Sequence, residues 1–345
     1  MNNKMIFLAS VAALTAASSA SAADAIVASE PEAVEYVRVC DAYGTGYFYI
    51  PGSETCLKIG GYIRTEERFG RDLSGPSDWS SWTRAQVYFT SKSDTEWGTL
   101  TGNIVLRTNA EDASSGNTFA DEAWIDLAGF RAGMQYSWWD DDPSGETDVV
   151  SSNSTRHNSI RYQYETDTFA AGVMLDELED NYATKFGENP NDLGVAAQVS
   201  AKYGAFSAYL LGGYDTDTEE GAIRAIVYAD IGPGQLGVYG VWASGANYYY
   251  EDSKWTVGAQ YQLKLTDKWA VTPGFQYFGD VANPTTTVGD REYSNGFSND
   301  DAWTAGVTVD YKIVDNLATK LSVQYHDEDA GEDEVLGFLR LQRDF

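Results

Sequence analysis

From residue 57 onward the chain changes polarity at every second position, and it does so repeatedly until its last residues. Over 57–68, Leu57, Ile59, Gly61, Ile63 and Thr65 share one phase, while Lys58, Tyr62, Arg64, Glu66 and Arg68 share the other. Trp255, Val257, Ala259, Tyr261, Leu263 and Leu265 oppose Thr256, Gln260, Gln262 and Lys264 in the same way. So do Leu317, Leu321, Val323 and Tyr325 against Lys320, Ser322, Gln324 and His326. Successive side chains of a β-strand point to opposite faces, so each run reads as a strand with one apolar and one polar side.

The alternation predicts sixteen strands, at 57–69, 79–91, 99–108, 119–127, 130–138, 157–165, 169–175, 193–203, 206–215, 221–230, 235–244, 250–265, 269–278, 302–313, 317–327 and 334–345. Most have the roughly 9 to 11 residues that a tilted strand needs to cross a hydrocarbon layer. Their connections alternate in length. The short set is 92–98, 128–129, 166–168, 204–205, 231–234, 266–268 and 314–316, and the mostly longer set is 70–78, 109–118, 139–156, 176–192, 216–220, 245–249, 279–301 and 328–333. Seven turns and eight loops suit sixteen strands with both termini in the periplasm. The expected fold is all-β, a 16-stranded antiparallel transmembrane β-barrel with short periplasmic turns and longer extracellular loops.

After Ala23 no stretch approaches the roughly 18 consecutive apolar residues of a spanning helix. The mean hydropathy of −0.37 fits a barrel, because lipid-facing and lumen-facing residues cancel in any average. Trp79 and Trp82, Trp138 and Trp139, Tyr248–Tyr250, Trp269 and Trp303 fall at strand ends, where aromatic girdles at the two membrane interfaces are expected.

Residues 1–22 carry Lys4, an apolar run from Met5 to Ala17 and the small-residue motif Ala20-Ser21-Ala22, the pattern of a secretory signal peptide. The exported part, 23–345, reads as a single barrel domain. Removing Lys4 with that peptide moves the formal charge from −29 to −30, which excludes nucleic acid as a partner for want of a clustered basic face. A disordered acidic chain is disfavoured by an aromatic content of 14%. At the other end, "GFLRLQRDF" puts Val335, Leu339, Leu341 and Phe345 on one phase and Arg340, Gln342 and Asp344 on the other. A closing strand that pairs with the first can end on a lipid-facing ring, so Phe345 is expected to serve as an assembly signal to the barrel-assembly machinery.

The segment "VEYVRVCDAYGTGYFYIPGSETCLKIGGYIR" at 34–64 resembles the start of an alphaproteobacterial outer-membrane porin, a general diffusion porin. Similar patterns follow in "TRAQVYFTSKSDTEWGTL" at 83–100 and in the closing "GFLRLQRDF". The resemblance covers essentially the whole exported chain. It implies a homotrimeric channel in the bacterial outer membrane, embedded in lipid that includes lipopolysaccharide and passing small hydrophilic solutes and ions by passive diffusion. No cofactor or metal is implied.

Cys40 and Cys56 are the two cysteines, and export to an oxidising space makes a single disulfide between them the default, clasping the leading segment 39–56. Arg64, Arg84, Arg107, Arg131, Arg161 and Arg224 all fall on polar phases. On the lipid side each would cost about 2 to 4 kcal/mol at mid-bilayer, so they are expected on the pore wall. In porins the loop after the fifth strand typically folds inward, and the resemblance carries that role to 139–156. Its Asp140, Asp141, Asp142, Glu146 and Asp148 would then face the arginines across a constriction.

Other motifs carry less. "GPGQLG" at 232–237 matches a dinucleotide fingerprint but runs into a strand instead of a helix. "DEDAGEDEV" at 327–335 has its Gly331 at the fifth place from Asp327 and so is no EF-hand loop. An enzyme would need a nucleophile with a positioned base, and the chain has only His157 and His326 and no G-x-S-x-G. The alternative function is a structural or adhesive surface barrel with an occluded lumen.

Overall fold

A computed structural model describes residues 37–74, 77–110, 116–152, 155–178, 193–288, 291–293 and 295–345. The signal peptide expected at 1–22, and the segment 23–35 after it, lie outside the described residues. The elements in chain order are β1 (Tyr47–Tyr49), β2 (Cys56–Ser74), β3 (Ser77–Thr95), β4 (Gly98–Ala110), β5 (Thr118–Leu127), β6 (Phe130–Tyr136), β7 (Arg156–Glu165), β8 (Phe169–Glu177), β9 (Leu193–Tyr203) and β10 (Phe206–Asp215). They continue with β11 (Glu220–Ile231), β12 (Gly234–Ala243), β13 (Ser253–Lys264), β14 (Trp269–Val281), the hairpin β15 (Thr286–Val288) and β16 (Arg291–Tyr293), then β17 (Ala302–Val314), β18 (Leu317–Glu328) and β19 (Glu334–Asp344).

Sixteen of these, β2–β14 and β17–β19, form one closed antiparallel barrel. Each pairs with the next, and β19 returns to β2 with register Gly337↔Phe69 through Asp344↔Tyr62. Phe345 completes the seam through its backbone N–H to Gly61 O at 3.0 Å and the Gly61 N–H to Phe345 O at 3.1 Å. Closure leaves no strand edge with unsatisfied backbone groups, the condition for a sheet to exist in lipid. Seven turns of two to four residues join strands at one end. Five have two residues; in one of them, Ala128-Gly129, both have positive φ, 53° and 85°, as a type I′ hairpin turn requires.

The apolar phases face outward. Ile59, Ile125 and Leu339 are 47%, 63% and 50% exposed, and so are their counterparts around the wall, giving the continuous apolar band that lipid covers. Val335, Leu341 and Phe345 share that face. Arg340 lies on the inner side, paired with Glu66.

The girdle expectation divides. Trp79 and Trp269 are outward, and Trp269 stacks on Tyr311 with centroids 4.1 Å apart. Trp255 with Tyr277 and Trp303 with Tyr325 form two further ring pairs, at 5.5 and 5.3 Å. Trp82, Trp138, Trp139 and Tyr248–Tyr250, in contrast, are buried inside the barrel and belong to no girdle. Trp82 points to the lumen because it lies on the phase of Glu66, to which its Nε1 donates at 3.0 Å. The others fill the space between the inner loop and the inward faces of β8–β12, with Met174, Leu211, Ile226, Tyr239 and Val241.

Cys40 and Cys56 are joined in a buried disulfide with a Cα–Cα distance of 6.0 Å, packed against Tyr43, Tyr47 and Tyr49 at the start of β2. The expected clasp is present.

Candidate functional site

β6 stops at Tyr136, two residues earlier than alternation predicts, because Ser137 turns the chain inward. Its Oγ accepts from Trp139 N at 3.1 Å and caps a single 3₁₀ turn, Trp138–Asp140. From there the chain runs through the lumen as far as Ser152. Arg224 of β11 sits beneath its root, 2% exposed, donating to the carbonyls of Trp138, Trp139 and Val150 at 2.5, 2.9 and 3.4 Å. Tyr228 OH donates to Asp142 O and Tyr239 OH to Thr147 O, both at 3.2 Å.

Across the barrel, Thr147 Oγ1 donates to Gln324 Oε1 at 2.8 Å. Gln276 brackets Val149, accepting from its N–H at 2.7 Å and donating to its O at 2.8 Å. The segment lies so close to the wall that a Cβ on Gly145 would overlap the Gln260 carboxamide. Side chains of β11, β12 and β14 thus hold the loop by its backbone, and Gln324 of β18 holds it by the Thr147 side chain.

The five acids differ in state. Asp140 accepts from Thr155 Oγ1 at 2.7 Å. Asp141 and Asp142 reach lumen water yet are enclosed by the barrel. That desolvation raises both carboxyls, Asp142 to about 6 with help from Asp140 and Glu146. Glu146 pairs with Lys320 Nζ at 2.7 Å and lies 3.9 Å from Arg340 Nη1. Asp148 has a buried Oδ1 with no hydrogen-bond partner, and burial, then Asp142 and Glu146, push it up to about 9, so it is protonated at neutral pH.

The six arginines also separate. Arg107 pairs with Asp121 at 2.6 Å, and Arg131 with Asp126 at 3.1 Å over the Trp124 ring. Arg161 lies over the Trp138 ring at 5.4 Å. Arg64 and Arg84 stand directly opposite each other on β2 and β3, with Nε donated to Gln342 and Asn109, each at 2.8 Å. Arg224 differs from the other five in supporting the loop from below.

The basic groups nearest the loop tip, Lys320 and Arg340, lie outside this set. Both are on inward phases, but phase alone does not say which inward residues the loop reaches. Barrel closure decides it, by setting Arg340 against Glu66, where Arg340 and Arg68 each lie 2.6 Å from the buried carboxylate.

A family model described as "Porin subfamily" matches residues 24–337. The chain belongs to the porin family. Outer membrane protein IIIA of Rhizobium leguminosarum bv. viciae is 51% identical to this porin over 306 residues, covering 84% of this chain and 83% of that one. Porin Omp2a of Brucella ovis is 36% identical over 310 residues, covering 78% and 88%.

Among solved structures, the trimer form of OmpT from Vibrio cholerae aligns with TM-score 0.61 at 14% identity, over 85% of this chain and all (100%) of that one. A triple mutant of the Rhodopseudomonas blastica porin aligns with TM-score 0.57 at 11% identity, over 84% and 100%. The porin is a multi-pass barrel of the bacterial outer membrane and a channel for passive diffusion. Family membership points to a channel rather than an enzyme.

Proposed function

We propose that the porin passes small hydrophilic solutes through an eyelet bounded by the loop residues 139–152 on one side and by Arg64, Arg84, Arg107, Arg131 and Arg161, with Lys320 and Arg340, on the other. The single observation that carries this reading is the tethering of the loop to four wall strands, by its backbone from β11, β12 and β14 and by the Thr147 side chain from β18, with Glu146 turned toward Lys320 and Arg340. Opposed charges across a narrow opening set up a transverse field that aligns dipolar solutes and disfavours apolar ones. Proteoliposomes should swell rapidly in small sugars and progressively more slowly as solute size rises. Swelling no faster than protein-free vesicles would favour the alternative, a surface barrel with an occluded lumen.

The assembled form is proposed to be a homotrimer in lipid that includes lipopolysaccharide, inserted by the barrel-assembly machinery. Phe345 is proposed as the assembly signal because its exposed ring finishes the apolar face of β19 at the seam with Gly61. Deleting it should reduce outer-membrane trimer several-fold in membrane fractions. Wild-type yield of the truncated chain would remove that role.

A further inference from the structure

We propose that Arg64 and Arg84 form an anion subsite on the periplasmic side of the loop, shaped for a small oxyanion carrying at least two negative charges. Like charges directly opposed on neighbouring strands repel. Arg131 and Arg161 are opposed in the same way on β6 and β7, but there Asp126 pairs with Arg131. Glu66 serves Arg68 and Arg340, Asp121 serves Arg107, and Asp126 serves Arg131. Among the described residues no carboxylate pairs with Arg64 or Arg84.

Each guanidinium commits only its Nε, to the neutral amides of Gln342 and Asn109, leaving the terminal nitrogens of both without a carboxylate. Their planes are backed by rings. Arg64 stands over Tyr62 at 4.9 Å, and Arg84 over Trp82 at 4.5 Å, with Trp82 itself fixed by its bond to Glu66. Two guanidiniums held this way match the geometry of phosphate or carboxylate oxygens, and a divalent oxyanion would neutralise both. Arg64 also lines a cavity of about 780 Å³ with Lys264, Lys320 and Arg340, whose cations outnumber the acids Asp267 and Asp310 in its wall, so the space beside Arg64 is open and on balance basic.

The depth follows from the register. Glu146, near the loop's tip, reaches Arg340, which opposes Glu66. Arg64 lies two residues from Glu66 toward the periplasmic end of β2, about 7 Å at the rise of a strand. An anion arriving from the periplasm meets the pair before the loop, whereas one from outside must first pass Asp141 and Asp142. Only this access route rests on the eyelet reading above.

The test uses the full-length porin, oriented in a planar bilayer, with inorganic pyrophosphate added to one side. Pyrophosphate should produce a flickering block, with a half-blocking concentration several-fold lower from the periplasmic side. Arg64→Gln with Arg84→Gln should raise that concentration about tenfold or more, the fold-change for losing a charge-assisted hydrogen bond. Arg64→Lys with Arg84→Lys should fall between, since charge remains without the planar fork. No block of the wild type, equal block from both sides, or a block unchanged by the glutamine pair would each overturn the proposal. If the block disappears in the glutamine pair while neutralising Asp140, Asp141 and Asp142 leaves the reversal potential unmoved, the subsite stands and the eyelet reading falls. The reverse result removes the subsite alone.

Discussion

Replacing Arg224 with leucine should raise single-channel conductance and make the open level noisy. The guanidinium is buried beneath the loop root and supplies donors to three backbone carbonyls, which leucine cannot replace. Hydrogen bonds from a charged donor contribute about 1.5 to 3 kcal/mol each and do not simply add, and a carbonyl left buried without a partner is itself penalised. A loss of about 3 kcal/mol from the docked position shifts its equilibrium roughly a hundredfold. The contacts of Tyr239, Gln276 and Gln324 remain, so partial detachment with fluctuating current is expected, and the barrel itself should persist. Arg224→Lys should give a milder change, because an ammonium keeps the charge but cannot span the same carbonyls. Conductance indistinguishable from wild type in Arg224→Leu would mean that Arg224 does not hold the loop in place.

The second large effect concerns ion selectivity. Neutralising Asp140, Asp141 and Asp142 together as asparagines should move the reversal potential in a salt gradient toward anions. The reason lies in how the five loop acids divide: Glu146 is paired with Lys320, and Asp148 is held protonated. The unpaired negative charge therefore sits on the other three. At physiological salt the Debye length is about 8 Å, so acids on the outer loops are screened from the passage while groups lining it are not. The wild type should be weakly cation-selective, more so as salt is lowered. A pH dependence follows with a definite sign. The Asp142 carboxyl is raised to about 6, so its charge is present above that pH and lost below it, and cation preference should weaken between about pH 7 and 5. An unchanged reversal potential in the triple variant would place the narrow passage elsewhere.

Most of the barrel is legible in the sequence because lipid and water impose opposite demands on alternate residues, and all sixteen strands lie where that alternation is found. Where one demand lapses, the boundaries shift. β2 and β3 run on to Ser74 and from Ser77, through a polar stretch that reads as loop, because strand pairing beyond the lipid needs no apolar face. The pairing there shifts register between Phe69 and Ser74, near Asp72 with its positive φ of 49°. The expected strand start at 250 is too early: 250–252 lies in the connection before β13, where the Tyr250 ring fills the interior.

The aromatic residues mislead for a related reason: a ring at a strand end satisfies a membrane interface or a void behind an inner loop equally well. Arg224 looks like the other inward arginines in sequence, and only the path of the loop sets it apart. Arg340 and Lys320 become partners of Glu146 through barrel closure and the depth of the loop, two long-range relations that periodicity does not encode.

The central claim, a water-filled passage narrowed by a docked loop, is tested most directly by recording the purified porin in a planar lipid bilayer. Wild-type protein should give large, steady conductance steps whose size grows in proportion to bath salt, with Arg224→Leu larger and noisier under the same conditions. Wild-type membranes that stay electrically silent at protein levels where the barrel is inserted and folded would contradict it.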